Sequence, residues 1–174
     1  MSLPPPLGKV MTSIEIRVLG PVGIEDHHAH LLRLDPRNRS LWLANGNDDR
    51  GVDGHCLRLL AAQAILIGGY VNDTLRASLE IVPDRTARQA DALFTAESTF
   101  CSSTLRQMLL ARLLDEARSY RLTEIRLHGV DDATLLSSNA FTSGVDIVQG
   151  PPLCLRFLET PMPGVSAAPA LRYA

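Results

Sequence analysis

The sequence predicts a single α/β (α+β) domain, a mixed sheet of about seven strands with helices on both faces. Three observations lead there. Short segments that alternate apolar and polar residues recur along the chain, the period of half-buried strands. One long stretch, 104–119, instead carries Leu105, Met108, Leu109, Leu113 and Ala117 at helical spacing. Three consecutive strand candidates in mid-chain are followed by elements that alternate helix and strand, the order of a mixed sheet with helices packed on it.

Taken in order, Ile14 to Leu19 alternates and is ended by Gly20-Pro21. Gly23 to Leu34 is loosely helical and stops at Asp35-Pro36. A polar loop at about 45–54 runs into a second helix expected over Val52 to Ala62. Ala64 to Val71 and Leu75 to Val82 read as strands joined by the hairpin turn Asn72-Asp73-Thr74. After a loop at Pro83 to Arg88 comes a strand over Ala90 to Glu97, then the long helix, then a strand over Glu124 to His128. A short helix is expected over Ala133 to Thr142, and strands near Val145–Val148 and Leu153–Leu158. The domain is expected to span 13–160, between tails at 1–12, with three consecutive prolines, and at 161–174, rich in Pro and Ala.

Composition excludes several classes of function. At 174 residues, 45% hydrophobic and 21% charged, the chain reads as globular rather than disordered. The longest apolar stretch, Leu57 to Val71, is interrupted by Arg58, Gln63 and two glycines and falls short of a membrane span. A net charge of −2 and 5% aromatic residues argue against a nucleic-acid partner. Cys56, Cys101 and Cys154 are odd in number and widely spaced, which fits a reducing, cytoplasmic setting without disulfides or structural zinc.

The layout from 14 to 158 resembles that of the GNAT-superfamily N-acetyltransferases. Residues 26–39, which end the first helix in a Leu-Asp-Pro turn, resemble the first-helix region of many bacterial members. The stretch Phe100-Cys101-Ser102-Ser103-Thr104-Leu105-Arg106 and the helix after it resemble the family's cofactor loop. The resemblance implies a mostly antiparallel sheet and acetyl-CoA as cofactor. It also implies direct acyl transfer to a small-molecule or peptide amine, and common pairing as homodimers. In the family the loop reads (Gln/Arg)-x-x-Gly-x-(Gly/Ala), and its amides cradle a pyrophosphate at a helix N-terminus. Here Cys101 stands at the Gln/Arg position, Thr104 at the first Gly and Arg106 at the second.

Two readings of that loop follow. In one, Ser102, Ser103 and Thr104 add hydroxyl donors, the amides through Leu105 face the pyrophosphate, and the Arg106 side chain supplies charge. In the other, Thr104-Leu105-Arg106-Gln107 is a capping box that starts a structural helix. The chain is then a non-catalytic GNAT-fold binding or regulatory module.

The strand before the loop carries the acid–base candidates. Asp91, Leu93, Thr95 and Glu97 share one face by period 2, with Ala92, Phe94 and Ala96 opposite. Asp91 matches a place where relatives often carry a glutamate near the amine to be deprotonated, and Glu97 lies at the strand's end. The resemblance makes backbone near Thr95 and Ala96 the guide for the pantetheine. It sets the family's cofactor-contacting asparagine at Ala133, or at Asp132 with one slip; Asp132 also reads as a helix N-cap.

Asp26, His27, His28 and His30 form a dense cluster, but on a helix positions 27, 28 and 30 point in different directions. They read as surface histidines, and no metal site is expected among them. Cys101 with His55 or His128 imitates a Cys–His pair without a local signature. Trp42 and Phe100 read as packing residues.

Overall fold

The computed structural model describes residues 13–36, 39, 43, 48–84, 86–130 and 144–158. The two expected tails, Trp42, Asp132 and the expected helix over 133–142 lie outside these residues. The elements are β1 (Ile14–Leu19), α1 (Ile24–Arg33), α2 (Asp49–Ala61), β2 (Ile65–Val71), β3 (Thr74–Asp84), β4 (Gln89–Ala96), α3 (Ser103–Ser119), β5 (Glu124–His128), β6 (Val145–Val148) and β7 (Leu153–Phe157). The strands form one sheet in the order β1-β2-β3-β4-β5-β7-β6. Its neighbours are antiparallel throughout, except for the parallel pair β4–β5.

The hairpin between β2 and β3 closes with Asn72 and Asp73 at φ 50° and 59°, the left-handed conformation that a two-residue turn demands of both its residues. Alternation along the strands then sorts the side chains. Ile67, Ala77, Leu79, Ile81, Ala92, Phe94, Ile125, Leu127 and Leu155 face α3, whose Leu105, Leu109, Leu110 and Leu113 complete the main core. Gly69 permits that contact: a Cβ there would lie 2.8 Å from Leu105 Cδ1. The other sheet face carries α1 and, packed against it, α2, over a smaller core of Leu31, Leu34, Leu43, Val52 and Cys56. No helix among the described residues is long and apolar enough to cross a membrane.

The starts of α2 and α3 differ from the sequence reading for one reason: the residue that caps each of them stands earlier in the chain. α2 begins at Asp49, inside the expected loop, because the Asp48 side chain accepts from the Gly51 amide. α3 is capped by Ser102, whose hydroxyl accepts from the Leu105 amide at 3.2 Å, so Thr104-Leu105-Arg106-Gln107 is not its capping box.

Leu109 is fully buried while Leu57 is 66% exposed, so truncating each to alanine separates core packing from surface. Leu109→Ala is expected to cost about 2–5 kcal/mol and Leu57→Ala no more than about 0.5 kcal/mol, measured by urea unfolding.

Candidate active site

The parallel pair β4–β5 runs from Gln89–Glu124 to Leu93–His128, where β5 ends. β4 continues for three more residues, with Phe94, Thr95 and Ala96 still laddered to Leu79, Ser78 and Ala77 of β3. Over that stretch the edge of β4 that faced β5 has no strand beside it among the described residues. An edge of backbone polar groups, the side of a cleft between β4 and β5, therefore begins at the Leu93–His128 pair and runs to the C-terminal end of β4.

The chain leaves β4 through a tightly held turn. The Glu97 amide donates to the Arg76 carbonyl, and the Glu97 carboxylate takes Arg33 Nε at 2.8 Å on one oxygen and Arg76 Nη1 at 2.8 Å on the other. Burial alone would raise this carboxyl, but the two guanidinium bonds outweigh it and hold Glu97 below the usual carboxylate range. A 3-10 turn over Ser98–Phe100 follows, with the Arg76 guanidinium 4.6 Å from the Phe100 ring centroid.

At the head of α3, Ser102 takes the Leu105 and Arg106 amides. The Ser103 and Thr104 amides have no partner among the described residues, and both residues are exposed. Arg106 reaches back to donate to Cys101 Sγ and lies 5.4 Å over the Phe94 ring, so a guanidinium sits beside the loop. Two amides, a helix N-terminus and a cation make this end of the cleft suited to an anion.

Asp91 and Glu97 share one strand face, but six residues of strand put them about 20 Å apart, so they do not form one acid–base pair. Asp91 lies on the paired part of β4, half-exposed, accepting from Arg126 Nη2 at 2.7 Å. Its other oxygen is 3.4 Å from Nε2 of His128, the last residue of β5. A carboxylate thus orients an imidazole at the point where the two strands part. The sequence reading found Asp91 and not this use of His128. Period 2 marks Asp91's face, but only the β4–β5 register brings His128 beside it.

The face beneath α1 holds a buried polar row, and here the expectation of surface histidines is corrected. His27 and His30 are fully buried and only His28 reaches solvent, bonding Asp53. Three residues apart on α1, the two buried rings point together at the sheet, where alternation has put Ser78, Glu80 and Thr95. The Glu80 carboxylate takes His27 Nε2 at 2.9 Å and His55 Nε2 at 2.8 Å. Burial would raise it, yet these two bonds keep it well below the ordinary range and hence ionised. His30 Nε2 lies 3.1 Å from Thr95 Oγ1, which is 2.8 Å from Ser78 Oγ. Burial, then the neighbouring His27, pushes His30 down to about 4. The Thr95 side chain is therefore engaged beneath α1. His55 and His128 each bond a carboxylate rather than Cys101, so no Cys–His pair forms; the three cysteines are unbridged.

The fold has counterparts among solved structures. PaiA N-acetyltransferase of Thermoplasma acidophilum, in complex with coenzyme A, matches with a TM-score of 0.54 over 84% of this chain and 99% of its own, at 16% identity. A GNAT family acetyltransferase of Brucella melitensis in complex with acetyl-CoA matches with a TM-score of 0.59 at 14% identity, over 83% and 88%. The chain has the GNAT fold. A putative acetyltransferase of Acinetobacter baylyi matches equally well, with a TM-score of 0.59 at 11% identity over 85% and 92%. No family model and no curated protein matches the sequence. The GNAT fold is thus reached here by a chain that carries Cys101, Thr104 and Arg106 in the loop and first turn at the head of α3.

His30 sets an acid limit on stability. Its folded value of about 4 lies below the ordinary 6.5, so the unfolded chain binds the proton more readily. Stability is full above about pH 6.5 and is lost as pH falls toward 4, with about 2 kcal/mol gone by pH 5. Urea unfolding at pH 7.5 and 5 is expected to show that loss in the parent chain and a smaller one in His30→Gln.

Proposed function

We propose that the chain is an acyl-CoA-dependent N-acyltransferase that binds its cofactor in the cleft between β4 and β5. One observation carries the reading: β4 runs three residues past its partner strand and leads, through the clamped turn at Glu97, to a helix end with two open amides. That combination offers an extended thiol arm a backbone edge and offers its pyrophosphate an anion site. The neighbours with coenzyme A or acetyl-CoA bound support the same choice of ligand.

In this reading the exposed amides of Ser103 and Thr104, with their hydroxyls, hold the pyrophosphate, and the Arg106 guanidinium beside Cys101 adds charge. Ser102 acts through its cap, which spends the Leu105 amide on the helix itself. The backbone of Ala96, beside Thr95, aligns the pantetheine. When bound, the cofactor supplies an acyl thioester whose carbonyl carbon an amine attacks. An amine is mostly protonated at neutral pH, so a base must take its proton. His128 fits that role, with Asp91 fixing its ring and tautomer. Glu97, depressed by two arginines, is too weak a base for it and holds the turn. The acceptor is an amine of a small molecule or peptide.

Calorimetry with coenzyme A and release of free thiol from acetyl-CoA with candidate amines test the proposal. Binding is expected, and its absence at millimolar coenzyme A contradicts the proposal. Ser103 is the first residue of α3, and Ser102 before it is extended at ψ 150°, so Ser103→Pro deletes one amide without breaking the helix. That variant is expected to bind coenzyme A on the order of 10–100-fold more weakly. His128→Ala is expected to lower kcat by about 100-fold or more, with the KM for acetyl-CoA nearly unchanged.

A further inference from the structure

The geometry points to a divalent transition-metal site, zinc in the first instance, made by His27, His55 and Glu80 beneath α1, away from the β4–β5 cleft. The three donors come from three elements, α1, α2 and β3, so their convergence is a product of the fold rather than of local sequence. Their ligand atoms all lie within 4.8 Å of one another. Each imidazole already presents Nε2 to a different carboxylate oxygen, at 2.9 and 2.8 Å. Donors bound at the usual zinc distances with tetrahedral angles stand about 3.3 Å apart. Admitting the ion therefore requires each imidazole to back away from its carboxylate oxygen by about half an ångström, and donors farther apart than that spacing to draw together.

The donor set and its surroundings fit a dication. Two imidazoles and one carboxylate are a familiar open zinc set, with a fourth position left for water or another ligand. His27 is fully buried and Glu80 nearly so, while the His55 side chain is 12% exposed, which gives an ion a way in from that side. His27 Nδ1 is the position to which the ring proton would move on binding. It is buried with no hydrogen-bond partner among the described residues. With the hydrogen on Nδ1, the Nε2 lone pair faces the ion and the imidazole remains neutral. His55 Nδ1 has only the long 3.5 Å contact of Arg58, an exposed side chain that can turn away. The ion would tie α1 and α2 to the centre of the sheet, so its binding free energy would add to folding.

The test uses the full chain, stripped with a chelator and titrated with Zn2+ by calorimetry and with Co2+ by visible absorption. One equivalent of metal, a four- or five-coordinate Co2+ spectrum and a raised Tm are expected. Losing even an outer partner of a metal ligand typically costs about 10–100-fold in affinity, so His55→Gln and Glu80→Gln should each weaken binding at least tenfold. His28→Gln, which removes the exposed neighbouring histidine, should leave it unchanged. Circular dichroism identifies any variant that fails to fold, and His55, at the edge of the cluster, is the safer of the two. Failure of the folded parent chain to bind either metal overturns the site. So does binding that survives His55→Gln and is lost in His28→Gln, which would mark a surface chelate.

Discussion

The candidate site depends on one constraint: β4 stays paired with β3 for three residues after it has lost β5. Pairing on one side keeps Phe94, Thr95 and Ala96 extended, and on the other side the backbone groups of Phe94 and Ala96 have no strand beside them among the described residues. A buried edge without partners would be costly, so such an edge persists only where water or a ligand can reach it. The same geometry fixes where the chain turns and where α3 begins, because Glu97 is tied to Arg76 through both backbone and side chain. The amino end of α3 and the edge of β4 thus border the same opening.

Glu97 and Glu80, two of the carboxylates on the α1 side of the sheet, are held by different chemistry, and each suits its place. Glu97, near the surface, is held by two guanidinium groups that stay charged at any relevant pH. Glu80, deep under α1, meets two imidazoles, whose charge and tautomer can change. Through Arg33 and His27 these carboxylates tie α1 to the sheet by polar contacts in addition to its small apolar core. Tyr70 adds a further tie through its hydroxyl to Asp26 at 2.7 Å.

Much of the fold was legible because its signals are local. The bounds of β5 and β6 follow from short alternating runs, the hairpin from Asn72-Asp73, and α3 from its leucine spacing. Strand alternation also put Asp91, Thr95 and Glu97 on one face. What escaped were contacts set by register and packing. Ser102 and Thr104 are equally good caps by type, and the turn before the helix decides between them. His27 and His30 look like surface residues until Glu80 and Thr95, more than 50 positions away in the chain, come to lie beneath them. His128 gains meaning only from its neighbour across a parallel pair whose register no local pattern encodes. The departures at Cys101, Thr104 and Arg106 were plain in the sequence. That the Ser103 and Thr104 amides remain open despite them was not.

The central claim is that the opening between β4 and β5, with the head of α3, is a binding site. Amide chemical shifts of isotope-labelled protein, followed while coenzyme A is added, test it most directly. The account predicts that the largest changes fall on Thr95, Ala96, Ser103 and Thr104, with His128 close behind. Changes confined to the outer face of α1 and α2, or none at saturating ligand, would contradict it.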